Sequence, residues 1–283
     1  MPHCCRLTFA KSIAFVLRIL DKKRKKDLLA NLDFAYDNTL SKEQKQEILR
    51  TNYLNIVYNV ISFFMLSVSK KEQILKNIEI ENSHIAQELL SKDENFISVT
   101  AHFGNWEYIT PAFTCFFNHP INAVARLTPY PLINDYLFKV REKFNITIID
   151  KMGAAPKLIR LIKNGESVGI VSDQNTAKKE GLLVEFFGKK VRHTPIASIL
   201  ARKFDKKIIP CFISYSSDYS KQIFKILPPI KCIKTDNLQA DIQNLTQIQS
   251  DILEKAIREN PKEWLWFHKK FKNQYPEIYK ENK

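Results

Sequence analysis

A chain of 283 residues can hold one large domain or two small ones, and its 45% hydrophobic and 26% charged content is ordinary for a globular protein. The charge balance is less ordinary: 44 Lys and Arg against 30 Asp and Glu leave a formal net charge of +14, which points to an anionic partner such as nucleic acid, an acidic protein or an anionic membrane surface. The five cysteines, Cys4, Cys5, Cys115, Cys211 and Cys232, are odd in number and lack paired ligand spacing; they read as reduced thiols in a cytosolic setting and give no strong zinc or disulfide signal.

Residues 7–20, LTFAKSIAFVLRIL, are apolar but short and are interrupted by Lys11 and Arg18. A spanning helix needs about 20 apolar residues. A signal peptide would need a small-residue cleavage site, which does not follow. Phe9, Ile13, Val16 and Leu20 fall on one helical face, Lys11, Arg18 and Lys22 on another, and the basic run DKKRKK (21–26) comes next. That combination fits a helix lying in an anionic membrane interface, with an amphipathic helix packed on the core as the alternative. The expected division is a membrane-associating segment over 1–30 and one domain over 31–283.

Ser41 and Gln44 form a capping-box pattern that opens a long helix over 41–69. Its second half, 54–68, is apolar on most sides and must meet either core or lipid. From there strands and helices alternate: strands at 96–101, 121–125, 146–150 and 167–173, with helices from near Asn105, at 131–143 and at 155–165. Residues 181–188 are extended, 194–204 form a helix capped by Thr194 with Pro195 at its first position, 207–216 and 221–227 are strands, and 238–259 form a last long helix. The pattern predicts an α/β fold: a central mixed, mostly parallel sheet flanked by helices.

The stretch TAHFGNWE (100–107) ends the first of these strands. His102 falls at the carboxyl edge of the sheet, where open α/β folds bind ligands. Gly104 permits a sharp turn, Asn105 can cap the following helix, and Glu107 lies in its first turn. Glu107 can thereby return towards His102 and fix one imidazole nitrogen, leaving the other free to accept a proton from an attacking hydroxyl. Spacing alone also allows a histidine that merely binds a backbone carbonyl. The His-Glu-x-x-His pattern of zinc proteases and the Gly-x-Ser-x-Gly of serine hydrolases are both absent. No nucleic-acid fold motif and no single basic stripe accompany the charge excess.

AHFGNWE resembles the His-x4-Glu/Asp signature of the lipid A biosynthesis acyltransferases, a branch of the glycerolipid-type acyltransferases. Further stretches agree in order: the basic segment and Asn-Leu at 22–48, VSDQN (171–175), VEFFGKKVRHTPIASILARK (184–203) and PKEWLWFHKKFK (261–272). The likeness spans roughly residues 20–272. It implies a glycerolipid acyltransferase-like fold in which His102 takes the proton of the acceptor hydroxyl and Glu107 orients it. Arg126 matches a family arginine placed to bind a phosphate or the thioester end of the donor, Asp173 and Gln174 match a pair lining the site, and Phe187 and Gly188 shape it. Trp264 and Trp266 are expected in the core. Lys269-Lys270 stand where relatives often show arginine, which weakens a bidentate phosphate role there. The resemblance implies an acyl chain on acyl carrier protein as donor and a Kdo-modified, phosphorylated lipid A precursor as acceptor, with no cofactor, no metal and no nucleic acid. It implies work at the cytoplasmic face of a bacterial inner membrane; the same transfer onto another glycolipid or a lysophospholipid stays open.

Overall fold

The computed structural model describes residues 3–280. Helices α1 (His3–Leu20) and α2 (Lys22–Ala35) precede α3 (Lys42–Val68). The predicted capping box is present: the Ser41 hydroxyl accepts from the Gln44 N–H at 3.2 Å, and the Gln44 side chain accepts from the Ser41 N–H at 2.7 Å. Then come α4 (Lys71–Lys76), β1 (Ile78–Glu81), α5 (Ser83–Ser91), β2 (Ile97–Thr100), a 3-10 turn (Trp106–Tyr108) and α6 (Ile109–Phe117). The alternating middle is β3 (Ile121–Ala125), α7 (Pro131–Glu142), β4 (Ile146–Asp150), α8 (Ala154–Lys163) and β5 (Val168–Val171). A hairpin of β6 (Leu182–Phe186) and β7 (Lys189–His193) leads to α9 (Ile196–Phe204), β8 (Ile208–Tyr215), β9 (Gln222–Ile226) and α10 (Leu238–Glu259).

Seven strands form one sheet in the order β1-β9-β8-β2-β5-β3-β4. Every pairing is parallel except β8 with β9, so the sheet is mixed and mostly parallel, as expected. Parallel strands buried on both faces need apolar runs, and INAVA, ITIID and IIPCFISY supply them. One apolar layer joins the sheet to α6 and α7 through Phe96, Phe113, Ile121 and Phe224. The other joins it to α8 and α9 through Val99, Leu158, Ile170 and Leu200. A third core, built on Trp264, Trp266, Phe186 and Phe271, ties α2 and α3 to the C-terminal segment.

Two local expectations are corrected. Asn105 makes no capping bond; its side chain is fully buried with neither polar atom partnered, and a 3-10 turn rather than an α-helix follows it. Thr194 does not cap α9, whose first residue is Ile196 with Pro195 at the N-cap position. Helix α2 runs through residue 30 to Ala35, with Leu28, Asn31 and Leu32 buried on one face.

The N-terminal helix makes its core contact through Ala10 and Ala14, with Leu7 and Ile13 packed beside them. The stripe predicted from sequence faces outward for the most part: Phe9 and Val16 are exposed, Leu20 is 71% exposed, and Ile13 is half-buried. Phe15 and Ile19 are exposed as well. A second outward apolar stripe runs along α3 at Val60, Phe64 and Val68, spaced one helical turn apart. Among the described residues no helix is long and apolar enough to cross a membrane.

Candidate active site

β2 and β5 are neighbours in parallel register, with Thr100 opposite Val171. Two residues beyond each strand end, the same register brings His102 against Asp173. The His102 Nδ1 lies 2.8 Å from one carboxylate oxygen of Asp173, and the His102 backbone N–H donates to the other at 3.0 Å. The indole N–H of Trp264 donates to that second oxygen at 2.9 Å. Asp173 accepts all three bonds while only 2% exposed. Burial works against its charge, but the His102 charge and these donors outweigh it and hold the carboxyl well below the usual carboxylate range.

A carboxylate can only accept, so Nδ1 carries the proton and Nε2 presents its lone pair. The Gln174 amide nitrogen lies 3.4 Å from Nε2, in agreement with that tautomer. Burial disfavours the protonated ring, but the Asp173 charge and hydrogen bond, helped by the more distant charge of Glu107, raise the His102 pKa above the ordinary histidine value. The result is an oriented imidazole with strengthened basicity, whose Nε2 faces the Gln174 amide across 3.4 Å. The indole of Trp106 stands edge-on to the ring, centroids 5.1 Å apart.

Gly104 makes the turn possible. Its φ of +52° is left-handed, and a Cβ there would sit 2.1 Å from the carbonyl oxygen of Ile213. The strand-like pairing of Phe103 with Trp264 and the bond from Gly104 N–H to the Glu263 carbonyl (2.9 Å) stitch the C-terminal segment to the motif. Asn59 of α3 closes the turn by donating to the Gly104 carbonyl at 2.8 Å.

The C-terminal segment also holds the loop after β5. The Asn175 N–H donates to His268 Nε2 at 2.7 Å, and burial brings the His268 pKa down to about 4, so the ring is a neutral acceptor. The Lys270 ammonium is almost fully buried, 3.4 Å from the Gln174 carbonyl and 3.3 Å from that of Arg192. Burial lowers its pKa to about 8.

The model of the bacterial lipid A biosynthesis acyltransferase family matches residues 1–273. The chain belongs to that family. It is an acyltransferase of lipid A biosynthesis. Among curated relatives, it is 21% identical over 274 residues to the lipid A biosynthesis palmitoleoyltransferase of Escherichia coli (strain K12), covering 96% of this chain and 86% of that protein. It is 22% identical over 247 residues to a lipid A biosynthesis acyltransferase of Haemophilus influenzae, covering 86% of this chain and 75% of that protein. The E. coli lipid A biosynthesis lauroyltransferase is 20% identical over 252 residues, 89% of this chain and 80% of its own length.

Within this acyltransferase, the residues singled out from sequence separate into two groups. His102, Asp173 and Gln174 come together. Glu107 does not reach the imidazole; its carboxylate pairs with Arg141 of α7 at 2.8 Å. Arg126 is exposed just past the carboxyl end of β3. Lys151, missed in the sequence, stands beside it: its N–H donates to the Ala125 carbonyl at 2.8 Å, and its charge is felt at His102. Phe187 and Gly188 form the β6–β7 hairpin turn, with the Phe187 ring 6.0 Å from Trp266, so the aromatic ring that meets Trp264 is Phe186, at 5.7 Å. Trp266 is core, as expected. Trp264 is core as well, but it also donates to Asp173. Lys269 pairs with Asp27 at 3.0 Å, and the buried Lys270 faces carbonyls, so neither is presented to a phosphate.

Proposed function

We propose that His102 is the general base of acyl transfer from acyl carrier protein to a hydroxyl of a Kdo-modified, phosphorylated lipid A precursor. The observation that carries this reading is the bond from His102 Nδ1–H to buried Asp173, which leaves Nε2 as acceptor at the carboxyl edge of β2. Nε2 removes the proton of the acceptor hydroxyl as its oxygen attacks the thioester carbonyl. The tetrahedral adduct collapses with loss of the carrier thiolate, and the imidazolium returns the proton to that sulfur. Asp173 is the orienting carboxylate. Glu107, tied to Arg141, raises the basicity of His102 through its charge rather than by contact.

Exposed Arg126 and Lys151 supply the anion-binding edge for a phosphate of donor or acceptor. The net charge of +14 suits an acidic carrier and a phosphorylated acceptor. The outward apolar residues of α1, followed by Lys22–Lys26, support peripheral association with the cytoplasmic face of the inner membrane. The test is acyl transfer from acyl carrier protein thioesters to the Kdo-modified precursor. His102→Ala should lower turnover at least about a hundredfold. Near-normal turnover in the folded variant would remove His102 from the mechanism. Mass spectrometry of lipid A from cells lacking the protein checks the acceptor: a missing secondary acyl chain is expected, and unchanged lipid A would direct the transfer elsewhere.

A further inference from the structure

Beside the motif turn, α1, α3 and α4 close over the paired ends of β8 and β9 and leave a cavity of about 340 Å³. Strand register explains where it sits. β8 runs parallel to β2, so its last residue, Tyr215, stands at the same sheet edge as His102, and Gln222 is its antiparallel partner at the start of β9. The Tyr215 phenol donates to the Asn59 carboxamide oxygen, and the Asn59 amide donates to the Gly104 carbonyl at 2.8 Å. One hydrogen-bonded chain thus joins the cavity wall to the motif turn. The cavity is still separate from the base: His102, Asp173, Arg126 and Lys151 do not line it.

Its lining is polar and carries one sign of charge. Arg6 reaches in from α1 and Lys76 from α4, and among the described residues no Asp or Glu lines it. The Arg6 Nε is buried without a partner among the described residues, and its Nη1 donates to Met65 Sδ, a weak acceptor. Gln222 is only 8% exposed, and its Oε1 is likewise buried without a partner among the described residues. Folded proteins pair their buried polar atoms, so an orphan donor and an orphan acceptor lining one cavity mark places for ligand atoms. Burial pushes the Tyr108 phenol up to about 12, so it stays protonated and adds a donor to the floor.

These groups specify the ligand. An apolar chain would leave both orphans unpaired. Two cations from separate helices suit a group with several anionic oxygens, and the guanidinium fork of Arg6 suits phosphate. Gln222 Oε1 can only accept, so an ionised phosphate oxygen cannot satisfy it and a hydroxyl can. We propose that this cavity binds a phosphorylated polyol, with its phosphate on Arg6 and Lys76 and a hydroxyl on Gln222. Two sources carry that chemistry: a bilayer phospholipid headgroup such as that of phosphatidylglycerol, and a soluble glycerophosphate. Arg6 lies about one helical turn before exposed Phe9, which sets the cavity beside the outward stripe of α1. The proposal is independent of the reading of His102.

The test titrates the full chain with inorganic phosphate, with sn-glycerol 3-phosphate, and with vesicles of phosphatidylglycerol or phosphatidylcholine. Thermal unfolding checks the fold of each variant. Glycerophosphate should bind wild type more tightly than inorganic phosphate, and Arg6→Gln should weaken it at least about tenfold. Lys76 is exposed on α4, so Lys76→Gln keeps the test open should Arg6→Gln fail to fold. Gln222→Met should lower glycerophosphate affinity about fivefold and leave inorganic phosphate unchanged. If the ligand is a headgroup, Arg6→Gln should reduce binding to phosphatidylglycerol vesicles more than Lys11→Gln, which removes a charge from the same helix outside the cavity. Equal vesicle losses, with the Arg6 effect kept for glycerophosphate, would assign the cavity to the soluble molecule. No specific loss in either arm with Arg6→Gln or Lys76→Gln would overturn the proposal. So would anion binding that falls only with Arg126→Gln and Lys151→Gln, since that places the phosphate at the edge of the active site.

Discussion

Asp173→Asn is the sharpest perturbation of the site, because it changes one atom and leaves the volume unchanged. Three donors converge on the carboxylate: His102 Nδ1–H, His102 N–H and Trp264 Nε1–H. An asparagine has one oxygen, which can keep the two donors that share an oxygen in the wild type. Its NH2 group then faces Nδ1, and two donors cannot bond, so the imidazole proton must move to Nε2. The nitrogen that should accept from substrate becomes a donor. Loss of an oriented base of this kind lowers turnover about a thousandfold or more. The variant also removes the charge and bond that raise the His102 pKa, leaving burial, which lowers it. In the proposed mechanism the wild-type imidazole is neutral and active above that raised value, so the rate should climb as pH rises through it. In Asp173→Asn the residual rate should climb at lower pH. Steady-state acyl transfer across pH, with thermal unfolding to confirm the fold, measures both effects. Glu107→Gln is the control: its carboxylate bonds Arg141, so its pH limb should move less and its turnover should fall less. An Asp173→Asn enzyme within about threefold of wild type, with the same pH limb, would refute the dyad.

Gly104→Ala should destabilise the protein by at least about 3 kcal/mol in thermal or denaturant unfolding, since left-handed backbone strain adds to a Cβ pressed against a carbonyl; a loss under about 1 kcal/mol would mean that the turn relaxes freely. Lys270 has a folded pKa of about 8, below its ordinary 10.5, so the unfolded chain binds more protons between those values and stability should increase with pH across that window. In Lys270→Met that increase should vanish, and its persistence would assign it to another group. Replacing Phe9, Val16 and Leu20 together by serine should weaken sedimentation with phosphatidylglycerol vesicles while leaving the unfolding temperature unchanged, because all three side chains point outward. Equal sedimentation would place the membrane contact elsewhere.

Much of the fold was legible because its elements carry their own signals. INAVA and ITIID were bounded to the residue, and the helix over 238–259 was found entire. The elements that escaped are those whose stability comes from neighbours. IEIE of β1 is a sheet-edge strand with alternating charge, and KKVRH of β7 is extended only because it pairs with β6 across a turn formed by Phe187 and Gly188, both at positive φ. The direction of the α1 stripe was equally hidden. Ala10 and Ala14, flanked by Leu7 and Ile13, make its contact with the core, and only the placement of α3 decides that.

The site divides on the same line. His102 could be placed at a strand end from local pattern, since a turn glycine and a following helical stretch adjoin it. Its partner could not. Glu107 is five residues away and stands one turn on, but the motif turn points its carboxylate towards Arg141. Asp173 is 71 residues away and stands in hydrogen-bond contact, because β2 and β5 are adjacent and in register. Strand order and register are long-range outcomes: no local propensity states that β5 inserts beside β2 ahead of β3. The same long-range packing brings Trp264, His268 and Lys270 onto the Asp173–Asn175 loop, so the C-terminal segment clamps the loop that holds His102. It follows that substitutions in residues 264–270 should affect catalysis through the orientation of His102. The signature of that route is a moved pH limb like that of Asp173→Asn, not a changed affinity for donor or acceptor.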